Sequence, residues 1–313
     1  MFQQKSGGGL TGSGEAPRQV EADGVQGRRS GLGLFFAVTF ATTWTFWLIV
    51  ITLGGSPTSS PTAIPFLLGG FGPVFGAIAV RVRRVRRGEP VPVHTVRFRQ
   101  GVRLLWVLPL LALTSASVVA GAFLADFLGD ATVSLSEGKE LISSVGGIVP
   151  FFVSMLIGGP VAEEPGWRGT AYPRLRASMS RLRAGLLLGA VWAVWHLPLF
   201  FIEGTVQAEL GLLSWSGLMF SLSVFPVALL TGYAYECAGV AAAVAVHLGF
   251  NATMAVLTVE SPLTQACVLG VQVALAGTLL ATRRDRRTGP HLQVALQPGQ
   301  DDAEASRRIA PVG

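Results

Sequence analysis

Lysine is almost missing from this chain of 313 residues: of 24 cationic side chains only Lys5 and Lys139 are lysine. The rest are arginine, a bias of GC-rich genomes that points to a bacterial source and carries no mechanism. Charge of either sign is scarce at 13%, against 50% apolar residues and a mean hydropathy of +0.53. That balance excludes one or two soluble domains and indicates a polytopic membrane protein. Cysteine is limited to Cys237 and Cys267, too few and too far apart for a disulfide framework or a metal-spacing pattern, so both read as packing residues. GxSxG and HExxH are also absent, and no Ser-His-Asp or Cys-His constellation presents itself. The first 30 residues lack an apolar h-region and read as a disordered tail rather than a signal peptide. Residues 283–313 read the same way. No internal repeat is visible, which counts against a transporter built on inverted halves.

What is present is a series of apolar stretches long enough to cross a hydrocarbon core. They fall near 33–53, 62–80, 104–125, 143–162, 184–202, 212–234, 238–258 and 263–282. The expected fold is therefore all-α, a polytopic membrane helix bundle of about eight transmembrane helices. A net charge of +6 and a pI near 10.1 raise the question of nucleic acid, which the placement of the arginines answers. They concentrate in the connections after the second and fourth stretches and after the last, while the intervening connections are neutral or acidic. This is the positive-inside pattern: it predicts a multi-pass protein of the cell membrane with both termini cytoplasmic, facing anionic headgroups, with no nucleic-acid partner.

Titratable groups inside spans are costly and usually face a cavity or a partner. Few qualify here. Glu163, Glu164 and Arg168 are expected at the cytoplasmic end of the fourth stretch in GPVAEEPGWRG, His196 lies in the fifth, and His247 and Asn251 lie in the seventh. His94 and His291 fall in a basic loop and a tail. Glu164 and Arg168 are at i, i+4 and predict a salt bridge, leaving Glu163 free to meet water. Pro165 and Gly166 predict a helix break that water reaches. Trp192 and His196 share a face, with Pro198 freeing a carbonyl near the imidazole, and His247 and Asn251 present imidazole and carboxamide to one point. Taken singly, each has a structural explanation: interfacial charge, interhelical hydrogen bonds, aromatic packing.

As an ordered set, Glu163-Glu164-Pro-Gly-Trp-Arg168, Trp192-Ala-Val-Trp-His196 and His247-Leu-Gly-Phe-Asn251 resemble the motifs of the CAAX prenyl-endopeptidase and bacteriocin-processing family of intramembrane proteases (CPBP, or Abi). The resemblance covers about 150–260. It implies an eight-helix core with a cavity opening toward the cytoplasm and the bilayer, and hydrolysis of peptide bonds in membrane-associated, CAAX-like or leader-type substrates. It also implies roles: Glu163 as general base acting with His196, His247 and Asn251 as oxyanion donors, and Glu164, Arg168 and Trp192 as supporting residues. Tryptophan at 192 stands where phenylalanine is commoner in the family. The chain then divides into a tail (1–30), N-terminal transmembrane helices (31–142), a CPBP-like protease core (143–260), a last transmembrane helix (261–282) and a second tail (283–313). No cofactor is expected. Zinc held by Glu163, His196 and His247 is the metal-dependent variant, disfavoured by the missing HExxH and by Asn251. A proton-coupled transporter using Glu163, His196 and His247 as a relay, and a non-catalytic immunity-type membrane protein, are the rival readings.

Overall fold

The computed structural model describes residues 31–89, 105–129 and 133–282. Both expected tails, 1–30 and 283–313, lie outside the described residues. Among the described residues every regular element is helical. The bundle is formed by α1 (Leu32–Leu53), α2 (Ala63–Gly70), α3 (Gly72–Arg86), α4 (Val107–Phe127), α5 (Ser136–Ser144), α6 (Ile148–Arg176), α7 (Arg181–Trp195), α8 (Val206–Leu210), α9 (Trp215–Ala238), α10 (Val240–Val256) and α11 (Pro262–Thr282).

The expected spans all fall on helices, in three forms. Five helices are long and apolar enough to cross a membrane: α1, α4, α7 with the 3-10 turn that extends it to Phe201, α9 and α11. Two bent pairs, α2 with α3 at 52° and α5 with α6 at 83°, are long and apolar enough only when each pair is taken together. The expected seventh span falls on α10, which has 17 residues and is shorter than a full crossing. The bend between α5 and α6 sits at Gly146 and Gly147, whose φ values of 95° and 106° suit glycine and few other residues. Side-chain caps fix two helix starts: Ser180 accepts from the Arg183 amide at 3.3 Å, and Ser214 accepts from the Gly217 amide at 2.9 Å.

In lipid, helices gain little from burying apolar surface, so small residues and interhelical hydrogen bonds hold them together. Along α1 the buried stripe is Phe35, Thr39, Thr43, Trp47 and Val50. Gly72 and Gly76 of α3 seat directly against Thr43 and Thr39, where a Cβ would collide. Thr43 donates to the Gly69 carbonyl at 2.7 Å and accepts from the Trp195 indole at 2.8 Å, so one hydroxyl joins α1, α2 and α7.

Helix α6 is the irregular element. It contains two π turns, Ile157–Val161 and Trp167–Ala171, on either side of the α-helical turn Ala162–Gly166. The expected break at Pro165-Gly166 does not occur. The π turns absorb the hydrogen bonds that Pro160 and Pro165 cannot make, and the helix continues. Gly166 has a packing role instead: a Cβ there would strike the backbone and side chain of Pro73 on α3.

Candidate active site

The turn Ala162–Gly166 carries Glu163 and Glu164, 5% and 0% exposed. Glu164 Oε1 accepts from Arg168 Nη1 at 3.0 Å, the i, i+4 bridge expected from the spacing, and also meets His247 Nδ1 at 2.8 Å. Glu163 points the other way. Its Oε2 accepts from the Trp192 indole N–H at 2.7 Å. The Trp192 ring carries the Arg168 guanidinium at 4.4 Å from its centroid and meets the His247 ring edge-on at 5.1 Å. His196 Nδ1 lies 2.9 Å from the Trp192 carbonyl, which also takes the His196 backbone N–H. The carbonyl beside the imidazole is thus Trp192's own, not one freed by Pro198. Bonded in this way through Nδ1–H, the ring leaves Nε2 as an acceptor.

The second oxygen of Glu163 marks the centre of the site. An added Cβ at Gly159 would lie 3.4 Å from Asn251 Nδ2, 3.7 Å from Glu163 Oε1 and 3.9 Å from His247 Nε2. Helices α6 and α10 thus bring a carboxylate oxygen, a carboxamide nitrogen and an imidazole nitrogen around a space kept open by a glycine. His196 lines the same cavity, which has a volume of about 290 Å³. Its remaining wall is mainly apolar, with Trp47, Phe66, Leu199, Phe220, Val224 and Phe250. All four expected catalytic residues and all three supporting ones are therefore in one place. Sequence reasoning missed Gly159, the indole donor on Glu163 and the aromatic wall. The Gly158-Gly159-Pro160 run inside an apolar helix was the signal for the first.

Among the described residues, no three of His, Cys, Asp and Glu are grouped so as to hold a metal ion. Glu164 is committed to Arg168 and His247, and the Nδ1 atoms of both histidines are engaged. Each histidine is left with Nε2 toward the cavity.

The model for type II CAAX prenyl endopeptidases of the Rce1-like kind matches residues 145–253, a segment that contains every residue of this cluster. A CAAX prenyl protease 2 of Methanococcus maripaludis is 27% identical over 199 residues, covering 63% of this chain and 73% of that protein. Over this segment the chain is similar to the type II CAAX prenyl endopeptidase family. The motifs that carry the resemblance are the ones that build the cavity: EExxxR on α6, the aromatic on α7 with His196 just after it, HxxxN on α10.

The cavity takes its walls from α1, α2, α6, α7, α9 and α10, with Gln207 of α8 also lining it.

Proposed function

We propose that this chain is an intramembrane endopeptidase that cuts membrane-associated peptides with a water activated by Glu163 and without a metal. The observation that carries this reading is the convergence of Glu163 Oε1, Asn251 Nδ2 and His247 Nε2 beside Gly159. Amide hydrolysis requires a base for water, donors for the developing oxyanion and a proton for the leaving amine. The attacking water sits between two acceptors, Glu163 Oε1 and His196 Nε2. As its oxygen bonds to the carbonyl carbon, one proton passes to Glu163. The carbonyl oxygen, now negative, lies against Asn251 Nδ2 and His247 Nε2. Collapse of the tetrahedral intermediate breaks the C–N bond, and Glu163 returns its proton to the departing amine.

His247 meets Glu164 through Nδ1, so Nε2 donates to an oxyanion only when the ring carries both protons. In that state Glu163, Glu164, Arg168 and His247 sum to zero charge, the condition under which buried ions are least costly. Glu164 and Arg168 then act by holding His247 in orientation and charge.

The test is cleavage of a peptide library by the detergent-purified protein, read by mass spectrometry. Glu163→Gln is expected to lower the rate by about 10²- to 10⁴-fold, the range for loss of a general base. A chelator is expected to leave the wild-type rate unchanged. Full activity in Glu163→Gln would sink the base assignment, and loss on chelation reversed by zinc would sink the metal-free one. Proton flux in liposomes that stops in Glu163→Gln, with no peptide cut by the wild type, would establish the transporter instead.

A further inference from the structure

We propose that Thr43 of α1 is a positioning residue for His196, acting through the Trp195 indole, so that the first helix belongs to the catalytic apparatus and not only to the bundle. The catalytic half of this statement rests on the endopeptidase reading; the coupling of Thr43 to the imidazole does not.

His196 sits where α7 stops. Trp195 is the last residue of the helix, His196 follows it, and Leu197–Phe201 continues as a 3-10 turn with Pro198 at its start. Proline offers no N–H and 3-10 turns are less well bonded than α-helix, so the chain's own backbone constrains it least at the point where the imidazole leaves it. The constraint comes from α1 instead. Thr43 Oγ1 accepts from the Trp195 indole N–H at 2.8 Å, and Trp44 Nε1 donates to the Trp195 carbonyl over a longer 3.4 Å. Thr43 has one hydroxyl hydrogen and gives it to the Gly69 carbonyl at 2.7 Å, which leaves its lone pairs to the indole. Thr43 and Trp195 are both fully buried, so this bond forms away from solvent.

The anchored ring is in direct contact with the imidazole. The Trp195 indole meets the His196 ring edge-on, with centroids 4.8 Å apart and planes at 79°, and packs against Trp47 at 4.8 Å and Trp167 at 5.9 Å. Trp192 and Phe220, each at 5.6 Å, are the other aromatic neighbours of His196. Apolar packing is non-directional, whereas the N–H···O bond has a defined length and angle, so the hydroxyl sets where in its slot the indole rests. With that bond made, Trp195 closes one side of the imidazole and Nε2 keeps its aim at the water shared with Glu163. Without it, the indole slides and the imidazole follows. Helix α1 lies outside the matched segment 145–253, so none of the motifs that carry the resemblance points to this contact.

Three variants test the path. Thr43→Val removes the hydroxyl at nearly constant volume, Thr43→Ser keeps it, and Trp195→Phe removes the donor while leaving Thr43 bonded to Gly69. On the fastest-cut library peptide, Thr43→Val and Trp195→Phe are each expected to lower kcat by about five- to fiftyfold with KM unchanged, the scale of a small misplacement of a reacting group, and Thr43→Ser to keep at least about half of the wild-type value. Wild-type kcat in Thr43→Val would overturn the proposal. So would a loss there at least about tenfold larger than in Trp195→Phe, since the effect would then run through Gly69 and α2. A second measurement needs no cleavage: nuclear magnetic resonance of the protein in detergent with isotope-labelled histidine, the His196 signals being assigned by their loss in His196→Gln. The His196 ring protons lie in the ring-current field of Trp195, so they are expected to shift in Thr43→Val and to stay in place in Thr43→Ser, with the His247 signals unmoved in both. Unmoved His196 signals in Thr43→Val, or shifts of the same size at His247, would overturn the coupling. If the wild type cuts no peptide, the endopeptidase reading falls and the catalytic half falls with it, while the His196 signals still decide whether Thr43 holds the imidazole.

Discussion

Trp192 touches more of the site than any other side chain: it donates to Glu163, supports Arg168 on its face, meets the edge of His247 and lends its carbonyl to His196. A phenylalanine would preserve the face and lose only the donor, which separates orientation of the base from packing. Hydrogen bonds to charged groups are worth about 1.5–3 kcal/mol, so Trp192→Phe is expected to lower kcat by about ten- to a hundredfold with KM unchanged, measured on the fastest-cut library peptide. The adjacent glutamates should separate just as clearly. Glu164→Gln leaves Arg168 and His247 without their carboxylate at a position that is 0% exposed. Breaking a buried ion pair from one side costs about 3–5 kcal/mol, so the variant is expected to lose thermal stability in detergent as well as activity. Glu163→Gln keeps an acceptor for Trp192 and is expected to melt close to wild type while losing cleavage. Equal melting of the two variants would refute this division of labour.

Helix α6 marks the limit of what could be read from sequence. The Glu164–Arg168 bridge was legible because it depends only on i, i+4 geometry, and the His247–Asn251 pair for the same reason. The arrangement of the spans was legible because hydropathy and arginine placement are one-dimensional signals. The course of the chain through Pro165-Gly166 was not. A proline in a helix predicts a break only when neighbouring turns cannot widen, and the two π turns do widen. Gly166 likewise looked like a break, although its reason is the Pro73 backbone on another helix, a contact that no local pattern encodes. Gly166→Ala is therefore expected to destabilise by about 1–3 kcal/mol through overpacking, although alanine ordinarily strengthens a helix. Gly270→Ala on α11, where nothing lies within 4 Å of the added Cβ, is the matched control. Thermal unfolding of both in one detergent distinguishes a packing glycine from a flexible one.

At the scale of the whole molecule two regions of the bundle are held by different means. One is closed by the cluster of Glu236 with Arg176, Arg181 and Tyr172, and by Trp167, Ala171 and Leu175 in the same core as Ala184 and Leu188. The other surrounds the cavity, and α8, which lines it through Gln207, is a five-residue helix with no buried residue. Segments with few buried contacts open locally at low free-energy cost, while those in the core open only with global unfolding. A peptide that enters the cavity to reach Glu163 needs its wall to yield while the Glu236 cluster holds α6, α7 and α9 in register. Hydrogen exchange in detergent, read by mass spectrometry, is expected to follow that division. Amides of Val206–Leu210 should exchange at least about tenfold faster than those of Ala184–Trp192. Glu236→Gln, which weakens two ion pairs in that cluster, should raise exchange in α7 and leave Val206–Leu210 unchanged. Uniform exchange across both regions would mean that the bundle opens as one unit, and that access to the cavity is not separable from its unfolding.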